Sequence, residues 1–152
     1  MSEANQGDTP TISVSPIGIV RRHANGAESA LGPESTIEAL RAERVSMIVN
    51  ARYVAGLLGL EAGADILVLC YLDRADREIL QVHPRADESR PLRGVFATRS
   101  QMRPNPVSVT SARVLAIEGT TIEVVGLDVL DATPILDIKS HSAYFDEPYR
   151  DA

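Results

Sequence analysis

The chain has 152 residues, of which 44% are apolar, and a formal net charge of −6. This length is typical of one domain with its own hydrophobic core, and no apolar run reaches the roughly 18 residues of a membrane-spanning helix. The negative charge argues against general nucleic-acid binding, because the phosphate contacts that dominate such binding are usually made by basic domains.

The N-terminus begins MSEANQGDTP, which is polar and acidic and unlike a secretory signal peptide. We expect residues 1–11 to form a disordered tail. The single cysteine, Cys70, lies in an apolar run and cannot form an internal disulfide, so a buried, unreactive thiol is predicted. A lone free thiol fits a reducing compartment, and the cytoplasm is therefore the predicted location.

The first half of the chain is predicted to contain two strands and two short helical segments. The first strand is broken at Pro16, and the loop after it is marked by Asn-Gly and Gly-Pro pairs. Gly59 is expected to end the second helical segment as a C-terminal cap. In chain order the elements are the strand Thr11–Arg22, the loop Ala24–Glu34, the helix Thr36–Arg44, the strand Val45–Val49 and the helical turn Ala51–Leu58.

The second half is predicted to consist almost entirely of strands. The clearest hairpin joins two alternating segments through Glu118-Gly119, and its first strand changes phase midway. A charged loop is expected at Pro84–Arg93, and a polar, aromatic tail begins at Ser142. The predicted strands are Ile66–Leu72, Ile79–His83, Val95–Ala97, Val107–Ile117, Thr121–Val129 and Ile135–Ile138.

Regularly spaced strands with few helical stretches predict a mostly β domain, a single small β-barrel with short helices. We assign residues 12–146 to this domain and residues 147–152 to a C-terminal tail. The chain lacks a Gly-x-Gly-x-x-Gly motif after its first strand, and its strands do not alternate with long helices. A dinucleotide-binding α/β fold is therefore disfavoured.

Two segments have compositions that a folding core does not require. The run GVFATRSQMRPNP (Gly94–Pro106) combines two arginines with an asparagine held between prolines, which is typical of a stiff binding loop. The run LDVLDATPILDIKSH (Leu127–His141) carries three aspartates, a Thr-Pro turn, a lysine and a histidine. Four arginines also form a candidate basic patch within the acidic chain: Arg90, Arg93, Arg99 and Arg103.

Together with the opening strand PIGIVRR (Pro16–Arg22), these segments resemble the TsaA/TrmO-like family, whose signatures read approximately GVFATRSPxRPNPIGLS and DGTPxxDIKPY. The resemblance covers Ile17–Asp146. It implies a TsaA/TrmO-like β-barrel that binds S-adenosylmethionine, often as a homodimer. The family's best-known activity is N6-methylation of threonylcarbamoyladenosine beside the tRNA anticodon. The resemblance thus implies a methyltransferase acting on tRNA or on a small-molecule acceptor.

The resemblance also implies a set of cofactor-binding residues. In the family the arginine of the ATRS motif contacts the cofactor, and Arg99 is the matching residue; a solvated loop arginine is the alternative. Asp131 could accept hydrogen bonds from ribose hydroxyls or simply begin a turn. The full predicted cofactor set is Arg99, Val109, Asp73, Arg74, Asp131, Ala132, Thr133 and Pro134.

On the substrate side, we expect Arg103 and Asn105 to bind the methyl acceptor, although Asn105 could instead shape the loop. Asp137 and Lys139 match the family's DIK motif and lie on one face of a continuing strand. They, with Asn105, are the predicted catalytic residues, acting as a general base or orienting an amine nucleophile. A structural ion pair between Asp137 and Lys139 is the alternative, and His141 is expected to be an exposed residue at the strand end.

Three departures from the family signatures stand out. Ala132 and Ser108 replace glycines, and Ser140-His141 replaces Pro-Tyr. If the family's glycine at the first position needs a positive φ, Ala132 would be strained.

No cysteine or histidine has a partner at metal-ligand spacing, so no metal is predicted. No membrane association is expected either. A non-catalytic module that binds an adenosine-containing ligand is the alternative function, favoured by the acidic composition and the altered motif rims.

Overall fold

Alternating apolar and polar residues build a closed antiparallel barrel of six strands in the computed structural model, which describes residues 10–24, 27–28 and 31–150. Each strand pairs with its neighbours on both sides, and the last strand pairs with the first, so the barrel has no open edge. Around the barrel the strands are β1 (Gly18–Arg21), β10 (Pro134–Ser140), β5 (Asp65–Tyr71), β8 (Val107–Glu118), β9 (Thr121–Val125) and β4 (Arg44–Val49).

The remaining elements decorate the barrel. Two small antiparallel ladders are formed by β2 (His23–Ala24) with β3 (Ala27–Glu28), and by β6 (Gln81–Val82) with β7 (Arg93–Gly94). The α-helices are α1 (Ile37–Ala42), which Thr36 caps through its hydroxyl, and α2 (Ala143–Asp146). Short 3-10 segments occupy Ala51–Leu57, Pro84–Ala86 and Val95–Ala97.

The core fills the barrel interior with side chains from alternate strand positions. The inward residues of β4 and β5, for example, are separated by residues that are exposed or half-buried. Cys70 is buried among them, as predicted. The buried cluster consists of Val20, Val45, Met47, Val49, Ile66, Val68, Cys70, Ala112, Val114, Ile122, Val124, Leu127, Val129 and Ile135.

Closure of the barrel depends on a glycine in β1. A Cβ atom on Gly18 would lie 2.3 Å from the carbonyl oxygen of Ile48 in β4, which is far closer than carbon and oxygen can approach. Only glycine therefore allows these two strands to meet at their observed spacing.

The predicted mostly β barrel is confirmed, and so is the hairpin of β8 and β9. The phase change predicted after Val109 is not found there, because burial alternates regularly from Ser108 to Val114; the register shift of this strand lies later, between Val114 and Ala116. The short helix after Thr36 and the helical turn that begins at Ala51 are also present, and Gly59 follows that turn with a φ of 84°.

Other predictions need correction. Val95–Ala97 is a 3-10 turn and not a strand, because Thr98 turns back and donates its N–H to the Val95 carbonyl. The first strand is confined to Gly18–Arg21, and the strand predicted at Ile79–His83 shortens to Gln81–Val82. The predicted loop Ala24–Glu34 includes β3 and the end of β2.

The predicted tail is largely untested. Of residues 1–11, residues 1–9 lie outside the described part of the chain, so its disorder stays a prediction.

A fully buried arginine at the end of β1 ties the barrel to the segment that leads into β10. Arg22 has no exposed surface. Its guanidinium donates to the carbonyls of Leu127 at 2.7 Å, Val129 at 2.6 Å and Leu40 at 3.2 Å, and it pairs with Glu43 at 2.6 Å. The segment from Leu127 onward is therefore fixed by one side chain over 100 residues away in sequence.

Candidate functional site

The loop of residues 95–106 is braced from within by Arg103. Its guanidinium donates to three carbonyls of the same loop, those of Ser100 at 2.7 Å, Val95 at 2.9 Å and Thr98 at 2.9 Å. An irregular loop has few backbone partners for its carbonyls, and a planar guanidinium can satisfy several at once. Arg103 was predicted to bind substrate, and in the structure its bonded nitrogens hold the loop.

A second arginine, missed by the sequence analysis, braces the other end of this loop. Arg77 donates to the Pro104 carbonyl at 2.6 Å and lies 3.5 Å from Oδ1 of Asn105. Asn105, a predicted substrate and catalytic residue, is exposed beside it. Its main-chain carbonyl accepts from the N–H of Val107, so Asn105 also shapes the entry into β8.

Arg99 connects the loop to the barrel. Its guanidinium donates to the carbonyl of Val109 in β8, and both residues line one pocket. Both residues were predicted to bind the cofactor, and the structure brings them together.

The pocket has a volume of about 310 Å³, which is at the lower end of the range for small-molecule sites. Apolar side chains form part of its wall, and hydroxyl groups and charges of both signs form the rest. It is lined by Leu72, Arg99, Ser100, Arg103, Val107, Ser108, Val109, Thr110 and Asp128.

The charge opposing the arginines is Asp128, in the segment between β9 and β10. Its Oδ1 accepts a hydrogen bond from the Thr110 hydroxyl at 2.9 Å. The negative charge of Asp128 also raises the pKa of the nearby Cys70 thiol, although burial is the larger cause, and together they bring it to about 12. A carboxylate therefore sits at the barrel end, close to the buried core.

Ser108 contributes a buried hydroxyl to the same pocket. Its Oγ makes no hydrogen bond to a nitrogen or oxygen of the described residues and has only the Cys70 thiol beside it. Cys70 faces it across the β5–β8 ladder, but a thiol is a weak hydrogen-bonding partner. A buried polar atom without a partner is unusual in a folded protein and often marks a place for a ligand or water.

The predicted turn Asp131–Pro134 lies outside the lining of this pocket. Oδ1 of Asp131 accepts from the backbone N–H of Arg22 at 2.8 Å, and Oδ2 lies 3.5 Å from the Arg21 guanidinium. Thr133 is buried and donates its hydroxyl to the Leu130 carbonyl at 2.7 Å. The turn is thus fastened to β1, and the oxygens of Asp131 are occupied by protein donors.

Ala132 adopts a φ of 63°, which is the left-handed region that favours glycine. The backbone strain that was predicted for Ala132, should this position need a positive φ, is therefore present. The N–H of Ala132 donates to the Val20 carbonyl at 2.9 Å, so the barrel holds the residue in this conformation.

Asp73 and Arg74 follow β5 and are both exposed; the chain beside them is held by the Leu72 N–H, which donates to the Pro106 carbonyl at 2.8 Å. Leu72 reaches the pocket, whereas its two neighbours do not line it.

Asp137 and Lys139 form an ion pair of 2.7 Å on the barrel exterior, and about half of each side chain is exposed. They share one face, as predicted. The hydrogen bond that the Lys139 ammonium donates to Asp137 raises the pKa of Lys139. Neither residue lines the pocket, and His141 is exposed and lies 3.6 Å from Asp146.

The described ranges hold neither a metal-binding cluster nor a membrane-spanning helix. Residues 10–24, 27–28 and 31–150 contain no group of three or more His, Cys, Asp or Glu side chains placed to hold a metal ion. Within the same ranges, no helix has the length and apolarity needed to span a membrane.

Comparison with known proteins supports one family. Residues 33–147 match the model of the tRNA-methyltransferase O N-terminal domain. A "probable S-adenosyl-L-methionine-binding protein" of Methanothermobacter thermautotrophicus is 35% identical over 130 residues, covering 86% of this chain and 90% of the relative. A protein of the same description from Methanocaldococcus jannaschii is 43% identical over 100 residues, covering 63% of this chain and 79% of the relative.

Solved structures agree. The crystal structure of TrmO from Pseudomonas aeruginosa superposes with a TM-score of 0.69 at 28% identity, covering 95% of this chain and 62% of that one. The chain thus spans less than two thirds of that protein, and 28% of one Archaeoglobus fulgidus relative to which it is 40% identical.

Proposed function

Because the chain belongs to the family of the tRNA-methyltransferase O N-terminal domain, we propose that it is an S-adenosylmethionine-dependent methyltransferase whose cofactor binds in the pocket of Arg99 and Asp128. Relatives at 35–43% identity carry names that describe S-adenosylmethionine binding. The observation that carries the proposal is the pocket itself, which combines charges of both signs, an apolar wall and a buried hydroxyl with no nitrogen or oxygen partner among the described residues.

The chemistry of the pocket fits this cofactor. S-adenosylmethionine has a carboxylate, two positively charged groups, an apolar chain and an adenosine with several polar atoms. Arg99 can meet the carboxylate, since guanidinium forks bind carboxylates strongly. Leu72, Val107 and Val109 can pack against the apolar part. When bound, the cofactor would supply an activated methyl group, and the protein's task is to align the acceptor with it and exclude water.

The turn Asp131–Pro134 supports the pocket indirectly, through its hydrogen bonds to the barrel. By bonding to β1, Asp131 and Ala132 hold the segment that carries Asp128 at the pocket. Asp137 and Lys139 stay candidates for contacts to the methyl acceptor on the neighbouring barrel surface. Transfer of a methyl group to nitrogen or oxygen needs mainly alignment of the two reactants. Two catalytic side chains with strongly shifted pKa values are therefore not required at the pocket.

We further propose that the acceptor is a nucleoside in tRNA, with a small molecule as the alternative. The chain is acidic overall, yet seven arginines and only four acidic residues lie between residues 74 and 103, around the pocket loop. Three of these arginines are exposed and form neither an ion pair nor a side-chain hydrogen bond with the described residues: Arg74, Arg85 and Arg93. Exposed Phe96 lies in the same segment, and aromatic side chains offer stacking surfaces for bases.

Homodimer formation is also part of the proposal. Several large apolar side chains are more than 80% exposed, among them Leu58, Phe96, Tyr144 and Phe145. Such residues favour burial against a partner when they form a contiguous patch. Sedimentation at several concentrations would measure this association directly, and a monomer at all of them would contradict it.

Calorimetric titration with S-adenosylmethionine tests the cofactor assignment. The wild type should bind, and Arg99→Ala should bind at least tenfold more weakly. Arg44→Ala is the matched control, because Arg44 pairs with Glu123 on the barrel surface and does not line the pocket. If the wild type does not bind S-adenosylmethionine, the assignment of this cofactor is wrong, and the proposed methyltransferase activity is wrong with it.

Catalysis needs a second experiment. Transfer of a labelled methyl group to bulk tRNA from a strain that lacks the modification should be seen with the wild type. Rescue of that strain would exclude a purely non-catalytic binding module. Cofactor binding with no transfer to tRNA would instead favour a small-molecule acceptor or the binding module.

A further inference from the structure

Asp128 is a charged pocket residue that forms no ion pair with the described residues. Its only hydrogen bond within the described chain is the one from Thr110 to Oδ1, and Oδ2 has no partner there. Two arginines line the same pocket, but their hydrogen bonds go to backbone carbonyls and not to Asp128. Arg99 donates to the Val109 carbonyl, and Arg103 donates to carbonyls of its own loop. A half-buried carboxylate without a cation is costly, so this position is suited to a positively charged ligand group.

Ser108 is an independent sign that a polar partner is missing. Its buried Oγ belongs to a pocket residue and has no nitrogen or oxygen partner among the described residues, only the weakly bonding thiol of Cys70. On β8, Ser108 and Thr110 are two residues apart and both are partly buried, in line with buried Ala112 on the same face. The pocket end of this strand therefore presents two hydroxyls beside Asp128, where the rest of the same face is apolar.

We propose that Asp128 binds the positively charged methionyl portion of S-adenosylmethionine, that Thr110 holds the carboxylate in place, and that the Ser108 hydroxyl makes a further polar contact with the ligand. This inference rests on the proposed function and assigns residues of the same pocket. Arg99 and Asp128 then divide the ligand's charges, the guanidinium taking the carboxylate and Asp128 the cation. Such a division fixes the direction in which the ligand lies in the pocket.

The ligand has two groups that could pair with Asp128, the sulfonium and the α-ammonium. Both are cations, and S-adenosylhomocysteine separates them because it keeps the ammonium but has a neutral thioether. The experiment is therefore a titration of wild type and Asp128→Asn with both ligands. Asparagine keeps the shape of the side chain and removes only its charge.

Asp128→Asn should bind S-adenosylmethionine at least tenfold more weakly than the wild type does. If its affinity for S-adenosylhomocysteine is unchanged, the partner is the sulfonium; if both affinities fall equally, the partner is the ammonium. Either result supports the inference. Glu123→Gln is the matched control, since it removes the same charge from the barrel surface and should leave both affinities within about twofold of wild type.

Equal affinity of wild type and Asp128→Asn for S-adenosylmethionine would overturn the assignment of Asp128 while leaving the proposed function intact. A wild type that does not bind would overturn both. Circular dichroism and thermal unfolding show whether each variant is folded.

If Asp128→Asn does not fold, Thr110→Val is the second test. It removes the hydroxyl that positions the carboxylate and should weaken binding several-fold; unchanged affinity would overturn the inference. Ser108→Ala likewise should lose several-fold in affinity, and no loss would exclude the Ser108 contact.

Discussion

Replacing the buried Arg22 with methionine should destabilise the protein severely. Methionine keeps much of the side-chain length but removes the guanidinium that donates to the Leu127 and Val129 carbonyls and pairs with Glu43. The partners would lose their donors in a site with no solvent access at Arg22. Removing one member of a buried ion pair costs about 3–5 kcal/mol, and here the Glu43 carboxylate would lose the cation that lies 2.6 Å from it.

Urea denaturation measures this loss as a change in midpoint at constant slope. In thermal unfolding the same loss corresponds to roughly 6–20 °C for a chain of this size. The control is Arg44→Met, which breaks an exposed pair of 3.4 Å with Glu123 and should cost less than about 1 kcal/mol. Arg22→Lys should also be strongly destabilised, because an ammonium cannot reproduce the planar fork.

The double variant Arg22→Met with Glu43→Gln separates two contributions. If loss of the Arg22 cation beside Glu43 is a main part of the cost, neutralising Glu43 should recover part of the lost stability. A loss in Arg22→Met no larger than that in Arg44→Met would refute the reasoning, since it would mean that the buried guanidinium contributes no more than an exposed one.

Three other predictions concern single positions. Ala132→Gly should stabilise the fold by about 0.5–1 kcal/mol. Relief of the left-handed backbone strain at Ala132 stabilises the folded state by about 1–2 kcal/mol, and the greater freedom of glycine in the unfolded chain offsets about 0.4–1 kcal/mol of this. Ala39→Gly in α1 should instead destabilise the fold, and chemical denaturation compares the two variants. Cys70, whose pKa burial raises to about 12, should react with a disulfide reagent at pH 8 only when the protein is unfolded; rapid reaction of the native thiol would contradict this. The hydrogen bond from Arg113 lowers the pKa of Asp65, so the pair stabilises the fold above the unfolded pKa of about 3.9 and less as pH falls through the folded pKa. Arg113→Gln should move the Asp65 pKa back up, as followed by carboxyl NMR, and an unmoved titration would rule out the pair as its cause.

The barrel was predictable because inside–outside alternation is a local property of each strand. The β8–β9 hairpin follows from residues that are adjacent in sequence, whereas its register shift lies between Val114 and Ala116 and not at the predicted phase change. The 3-10 turn at Val95–Ala97 was not predictable in this way. Three apolar residues fit a strand, and the turn depends on carbonyls that Thr98 and Arg103 satisfy from further along the loop.

The site was predictable in part. Arg99 and Val109 come from one continuous motif, and the structure joins them at the pocket. Asp128 was seen only as one of three aspartates in its segment, because its partner Thr110 is 18 residues away and meets it only when the barrel closes. A usable signal was nevertheless present: Ser108 and Thr110 put polar side chains on the inward face of a predicted strand.

The arginines of the loop show why residue type alone did not assign function. Arg77 and Arg103 resemble Arg99 in sequence context, yet their bonded nitrogens satisfy loop carbonyls that have no strand or helix to pair with. Prolines stiffen this loop only at its end, and the guanidinium bonds fix the remainder. A loop fixed before the ligand arrives loses less conformational entropy on binding. Arg77 and Arg103 can therefore strengthen binding without touching the ligand, which leaves Arg99 and Asp128 as the charged groups through which the pocket would recognise it.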